Sequence, residues 1–148
     1  MSERLLVSAS EEIPVFFPAG GETLFGILTR PVGEPKGVGV VLLAVRATFH
    51  RNRVAVLLAR RLAGLGFHVL RFDYHGLADS SGTATFHLDQ PFVEDVEGAV
   101  RRMRQEGVER FVLVGQCFGA RTALAAAARL DGIAGVVLVA LPVLDWSG

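Results

Sequence analysis

The residues best placed to do chemistry lie in the segment Gly115-Gln116-Cys117-Phe118-Gly119. An apolar run, Phe111-Val112-Leu113-Val114, leads into it and an Ala-rich stretch follows. That order predicts a strand, a tight turn carrying the cysteine, and then a helix. Glycines suit both flanks, because a Cβ at either place would crowd the turn or the neighbouring strand. The thiol would project above the sheet at a helix N-terminus, where the dipole and the unpaired first-turn N–H groups favour negative charge. Cys117 is thus the expected nucleophile of an acyl transfer, and the N–H of Phe118 the expected first oxyanion donor. Gly115, Gln116 and Gly119 shape the turn. A lone cysteine at a strand end is also often a small buried hydrophobe, and the flanking glycines are what argue for a reactive one.

The elements that must position this turn are legible from periodicity. Glu12–Pro18 and Glu22–Arg30 read as two strands joined at Ala19-Gly20-Gly21. Val38–Val45 and Phe67–Asp73 read as buried strands, and Arg110–Gly115 and Val136–Leu141 as the last two strands. Three helices are expected between them. Asn52–Leu65 would turn Val54, Leu57, Leu58, Leu62 and Leu65 inward and stop at Gly66. A second helix, capped by Asp89 and starting near Pro91, would bury Phe92, Val93, Val96, Val100 and Met103 and end at Gly107. The third is Phe118–Leu130. Strands alternating with helices after an opening hairpin imply an α/β fold. Its sheet is mostly parallel, of about six strands, with helices on both faces.

Composition narrows the function classes. The length of 148 residues suits one domain spanning 1–148. Hydrophobic residues are 51% and charged residues 20%, which excludes a disordered chain. Fifteen Lys and Arg balance 15 Asp and Glu, so neither nucleic acid nor an anionic membrane surface is an expected partner. The single cysteine makes no internal disulfide and no multi-thiolate metal site. No signal peptide, transit peptide or membrane span is apparent, so a cytoplasmic location is expected. No cofactor or metal is expected either.

Two motifs carry a family resemblance. Gly115-Gln116-Cys117-Phe118-Gly119-Ala120 resembles the nucleophile elbow of the α/β-hydrolases, in the Cys form also seen in dienelactone hydrolases and polyhydroxyalkanoate synthases. Phe72-Asp73-Tyr74-His75-Gly76-Leu77-Ala78-Asp79-Ser80-Ser81-Gly82 resembles the loop after the fourth strand of esterase-like members, of the form D-x-x-G-x-G-x-S, with Ala78 where the second Gly is expected. Leu62–Arg71, just before, is similar as well. The resemblance covers about Glu22 to Leu141 and implies the N-terminal part of that fold, a truncated form lacking the last strands. It implies a second oxyanion donor at the end of the third strand, from the backbone of Arg46 or Ala47.

Such hydrolases carry nucleophile, acid and histidine in that chain order. No histidine follows Cys117 here. Of the four present, His50 is the internal candidate, since it lies near the expected oxyanion loop. His68 reads as a satisfied core or interface histidine, and His75 and His87 as solvated loop residues. Asp145 follows the sixth strand, where some members place the acid. Arg121, one turn beyond Cys117, would either pair with a carboxylate or hold an anionic group of the substrate.

Two functions fit. One is a hydrolase, thioesterase or acyltransferase acting on a small ester or thioester through Cys117. Its histidine would come from a C-terminal segment, a partner chain or a second copy. The other is a non-catalytic assembly module on the same scaffold. Both expect an exposed apolar edge at Val136 to Leu141, and hence a homodimer or heterocomplex formed there.

Overall fold

The computed structural model describes residues 10–45 and 53–143. These form β1 (Glu11–Ala19), β2 (Glu22–Arg30), β3 (Val38–Leu43), α1 (Val54–Gly64), β4 (His68–Phe72), α2 (Val93–Arg104), β5 (Arg110–Gln116), α3 (Phe118–Ala127) and β6 (Ile133–Val139). All six strands lie in one sheet of order β1-β2-β4-β3-β5-β6. β1 and β2 form the opening hairpin, and β2 runs antiparallel to β4. β4, β3, β5 and β6 are mutually parallel, as expected.

Alternation along the central strands sorts the core into two layers. Val41, Leu43, Leu70, Phe72 and Leu113 face one side and pack against α2 and α3. Val40, Leu42 and Val69 face the other and pack against α1. Burial on both faces explains why β3, β4 and β5 read as continuous apolar runs.

Several elements are shifted from expectation. α1 buries Val56, Ala59 and Ala63, whereas Val54, Leu57 and Leu65 are exposed. The small residues let the helix lie close on the sheet, with Leu58 and Leu62 at the margin. α2 starts at Val93 on Phe92, with no side-chain cap, so Asp89 does not cap it. The residues expected inward on α2 are all buried. β6 pairs from Ile133, three residues earlier than expected, and ends before Ala140, whose φ of 53° breaks the strand.

The segment after β4 continues to track β2 beyond the ladder. Asp73 N–H donates to the Phe25 carbonyl at 3.0 Å. Ser80 Oγ donates to the Asp73 carbonyl at 2.6 Å and accepts from Phe25 N–H at 2.9 Å. Ser81 Oγ accepts from Thr23 N–H at 2.8 Å. Within this loop Ala78 sits at φ 45°, the left-handed region that glycine adopts freely. A glycine's usual place in the resembled loop is therefore filled here by a strained alanine.

Two ion-pair groups fasten the antiparallel strands to the rest. Glu12 on β1 bonds Arg60 of α1 and lies 3.6 Å from Arg71 of β4. Arg30, ending β2, makes two bonds to Glu106 after α2, at 3.0 and 3.2 Å, and Arg102 adds one at 3.1 Å. The Arg30 hydrogen bonds hold the Glu106 carboxyl below the usual glutamate range, against a smaller opposing effect of burial.

Two outcomes follow. Ala78→Gly should stabilise the protein by about 1 kcal/mol, the relief of left-handed strain less the added unfolded-state entropy. Tm should then rise by roughly 3 °C; an unchanged or lower Tm would show that the loop is not strained there. Glu106 has a folded pKa below its unfolded one. Its contribution is therefore complete above the ordinary glutamate value of about 4.3 and is lost as pH falls through and below it. Glu106→Gln should lower Tm at pH 7 and narrow the gap to wild type between pH 5 and 3; a constant gap would contradict the pairing.

Candidate active site

β5 delivers the chain to Cys117 and α3 carries it away. Cys117 itself has φ 57° and ψ −118°, a conformation a side-chain-bearing residue rarely takes. Three bonds hold it there. Its N–H donates to the Val139 carbonyl at 2.9 Å, and its carbonyl accepts from Ala120 N–H at 2.9 Å and Arg121 N–H at 3.4 Å. The thiol is exposed and makes no capping bond to α3.

The flanking glycines meet the clearance expected of them. A Cβ on Gly115 would lie 2.2 Å from the Gly119 carbonyl oxygen. A Cβ on Gly119 would lie 1.9 Å from the Leu43 carbonyl oxygen, at the end of β3. α3 can therefore begin directly over the tips of β3 and β5 only if both positions lack a side chain. Gln116 is exposed beside the thiol.

Phe118 starts α3, so its N–H has no acceptor within the helix and is available at the turn. Its ring is buried and packs edge-on against Phe92 at 4.8 Å, Phe86 at 5.0 Å and Tyr74 at 6.0 Å between centroids. Tyr74 is fully buried, and burial together with the Asp95 charge pushes its hydroxyl far above the ordinary range. This aromatic cluster packs around the start of α3.

The other expected site residues are placed as follows. Arg46, Ala47 and His50, and Asp145, lie outside the described residues. Arg121 makes no ion pair among the described residues; its Nε donates to the Leu88 carbonyl at 3.1 Å, tying the preceding loop to α3. His87 is exposed, as expected. His68 is buried, and burial lowers its pKa, but its Nδ1 has no hydrogen-bond partner among the described residues.

His75 differs from the solvated loop residue expected. Its backbone N–H donates to Asp95 Oδ2 at 2.9 Å, and its Nδ1 lies 3.0 Å from both carboxylate oxygens. Its ring also stacks on Phe92 at 4.3 Å. Asp95 is buried in the first turn of α2, and burial raises its pKa against the lowering effect of the His75 bonds. The signal for this pair was an acid on the inward stripe between Phe92 and Ala99, since a buried carboxylate must find a donor. His75 and Asp95 line a cavity of about 440 Å³ with Gly20, Glu22, Glu94 and Arg129; Cys117 does not line it. Among the described residues no group of His, Cys, Asp or Glu side chains could hold a metal, and no helix is long and apolar enough to cross a membrane.

A sheet of this order, with a strained nucleophile-type turn between its fifth strand and the next helix, defines an α/β-hydrolase fold. Residues 34–147 match the family of serine aminopeptidases, S33, and the chain belongs to that hydrolase family. Solved structures agree on the fold. A lidless α/β serine hydrolase of Xanthomonas campestris aligns at 24% identity and TM-score 0.74, over 93% of this chain and 65% of its own. An esterase of Pyrococcus furiosus aligns at 19% and 0.77, over 96% and 54%. A serine hydrolase homologue of Coxiella burnetii aligns at 25% and 0.71, over 92% and 65%. The chain thus spans between about half and two thirds of the length of these structures. No curated protein matches it.

Removing the side chain at the strained turn should help folding. Cys117→Gly is expected to stabilise by about 1 kcal/mol, part of the 1–3 kcal/mol such backbone strain stores. Cys117→Ala, which keeps a Cβ, should give no comparable gain, and Gly119→Ala should cost on the order of 3 kcal/mol through its clash with Leu43. Thermal melts of the three variants check this; equal Tm values for Cys117→Gly and Cys117→Ala would mean that the turn carries no strain.

Proposed function

We propose that the protein catalyses acyl transfer from a small ester or thioester, with Cys117 as nucleophile. The observation that carries this reading is an exposed thiol held at φ 57° over a helix N-terminus. A merely structural cysteine has no need of that strain, and the glycine clearances around it exist only to admit the turn. Membership of a hydrolase family supports the reaction class. The solved hydrolases it resembles are described as serine hydrolases and an esterase, so the case for cysteine as the nucleophile rests on the turn itself.

In the step proposed, Cys117 gives its proton to a base or to water, its thiolate attacks the carbonyl carbon to form a tetrahedral oxyanion, and that proton is returned to the leaving oxygen or sulfur. The Phe118 N–H donates to the oxyanion, and an amide of Arg46 or Ala47 supplies the second donor. Collapse expels the alcohol or thiol and leaves a thioester on Cys117, which water or another acceptor then takes. The second half needs a base to deprotonate the acceptor. Within the sequence His50 is the candidate, with Asp145 as its acid. Otherwise the histidine comes from outside these 148 residues, from a further segment, a partner chain or a second copy. Arg121, if released from Leu88, would hold an anionic group of the substrate.

Assembly is the second part of the proposal. β6 pairs only with β5 among the described residues, and Val136, Val137 and Val139 are 37%, 48% and 47% exposed. An apolar strand open at its edge is a template for another strand, so a homodimer or heterocomplex through β6 is proposed. The same edge would serve a non-catalytic assembly module, the alternative reading.

A p-nitrophenyl acetate assay separates the two. A burst of about one p-nitrophenolate per chain, followed by slower release, is the fingerprint of an acyl-enzyme whose breakdown lags. Cys117→Ala should abolish the burst. No burst in wild type, or one that survives in Cys117→Ala, would leave only the assembly module. Light scattering at micromolar concentration should give at least twice the chain mass; a monomer would refute pairing through β6.

A further inference from the structure

The run from Ser81 to Gln90 is exposed except at Ala84 and Leu88, which are half-buried and packed on the core. Phe86 lies midway between these two anchors. Its ring is 41% exposed, yet it touches three buried rings: Phe118 at 5.0 Å, Phe92 at 5.2 Å and Tyr74 at 6.5 Å. A scattered exposed phenylalanine needs no explanation. This one is different, because the backbone on either side of it is fixed. Ala84 is wedged against Gly76, where a Cβ would come within 2.2 Å of the Ala84 nitrogen. Leu88 is held through its carbonyl by Arg121, on the helix that begins at the candidate nucleophile.

The ring is thus held in place and half left in water, one side chain away from Phe118, the residue next to Cys117. We infer that Phe86 is the open wall of an acyl subsite, selecting substrates whose acyl group is aromatic. A ring entering there would meet the exposed half of Phe86 and extend a cluster of four rings whose pairs, apart from the tilted Phe86–Phe92, are edge-to-face. Such ring pairs contribute beyond simple area burial. Flat apolar groups are favoured there over small ones such as acetyl. The inference rests on Cys117 being the nucleophile proposed above.

Alkylation reads the subsite without requiring turnover, because Cys117 is the chain's single thiol. Rates are measured for iodoacetamide and for N-benzyl-2-iodoacetamide on wild type, Phe86→Ala and Phe86→Trp. After correction for the reagents' rates with a free thiol, wild type should prefer the benzyl reagent at least fivefold. Taken as the ratio of the two rates within each variant, that preference should fall at least threefold in Phe86→Ala and be kept in Phe86→Trp. An equal preference in wild type and Phe86→Ala overturns the subsite. The ester burst on the same samples keeps the two readings apart. A burst without benzyl preference sinks the subsite and spares the nucleophile. A Phe86-dependent preference without a burst establishes the aromatic subsite while removing the acyl-transfer reading.

Discussion

The edge of the sheet that carries Cys117 depends on two points where no side chain fits. Gly115 and Gly119 bring β5, α3 and the end of β3 together at backbone distance, so closely that a methyl group at either would overlap a carbonyl oxygen. That contact leaves the chain one way to turn, and the residue between the glycines takes a left-handed conformation with its side chain outward. Cys117 is exposed because the positions two residues to either side of it can hold nothing but glycine. The strain sits at one residue and is offset by burial beneath it, where Phe118, Phe92 and Tyr74 interlock.

From that contact outward, each layer of the fold serves position more than chemistry. The parallel strands bring their C-terminal ends to one edge. The loop after β4 passes His75, is stitched to β2 by Ser80 and Ser81, and then brings Phe86 to the aromatic cluster. Arg121 fastens that loop to α3. The segment that carries Phe86 is thus tied at both ends.

Much of this was legible in the sequence. Gly-x-Cys-x-Gly between an apolar run and an Ala-rich stretch specified the turn, because the spacing leaves few alternatives for so many small residues. The parallel order followed from the alternation of strand and helix. Side-chain direction was less legible. α1 was expected to bury its leucines, but packing favoured Val56, Ala59 and Ala63, since small residues permit closer approach. β6 was expected to start at Val136 because apolar content peaks there, whereas the ladder to β5 sets the start at Ile133.

Polar partners across long sequence separations were the least legible. His75 read as a loop residue because its acid, Asp95, is 20 positions away on another element. Phe86 read as nothing in particular, since only folding puts it beside Phe118. Arg121 was expected near a carboxylate or a substrate anion and instead meets a backbone carbonyl. Such contacts depend on which loops meet at the edge, and periodicity carries no record of that.

In the function proposed, the folded turn, not cysteine chemistry alone, makes Cys117 reactive. This is tested most directly by timing acyl-adduct formation on this single thiol with p-nitrophenyl acetate, by intact-mass spectrometry at pH 7. The native protein is compared with the same chain unfolded in urea. Acylation should be at least tenfold faster in the native state, with one acyl group per chain. Equal or slower acylation of the native thiol would contradict the claim, for the turn would then be burying or merely displaying a cysteine of ordinary reactivity.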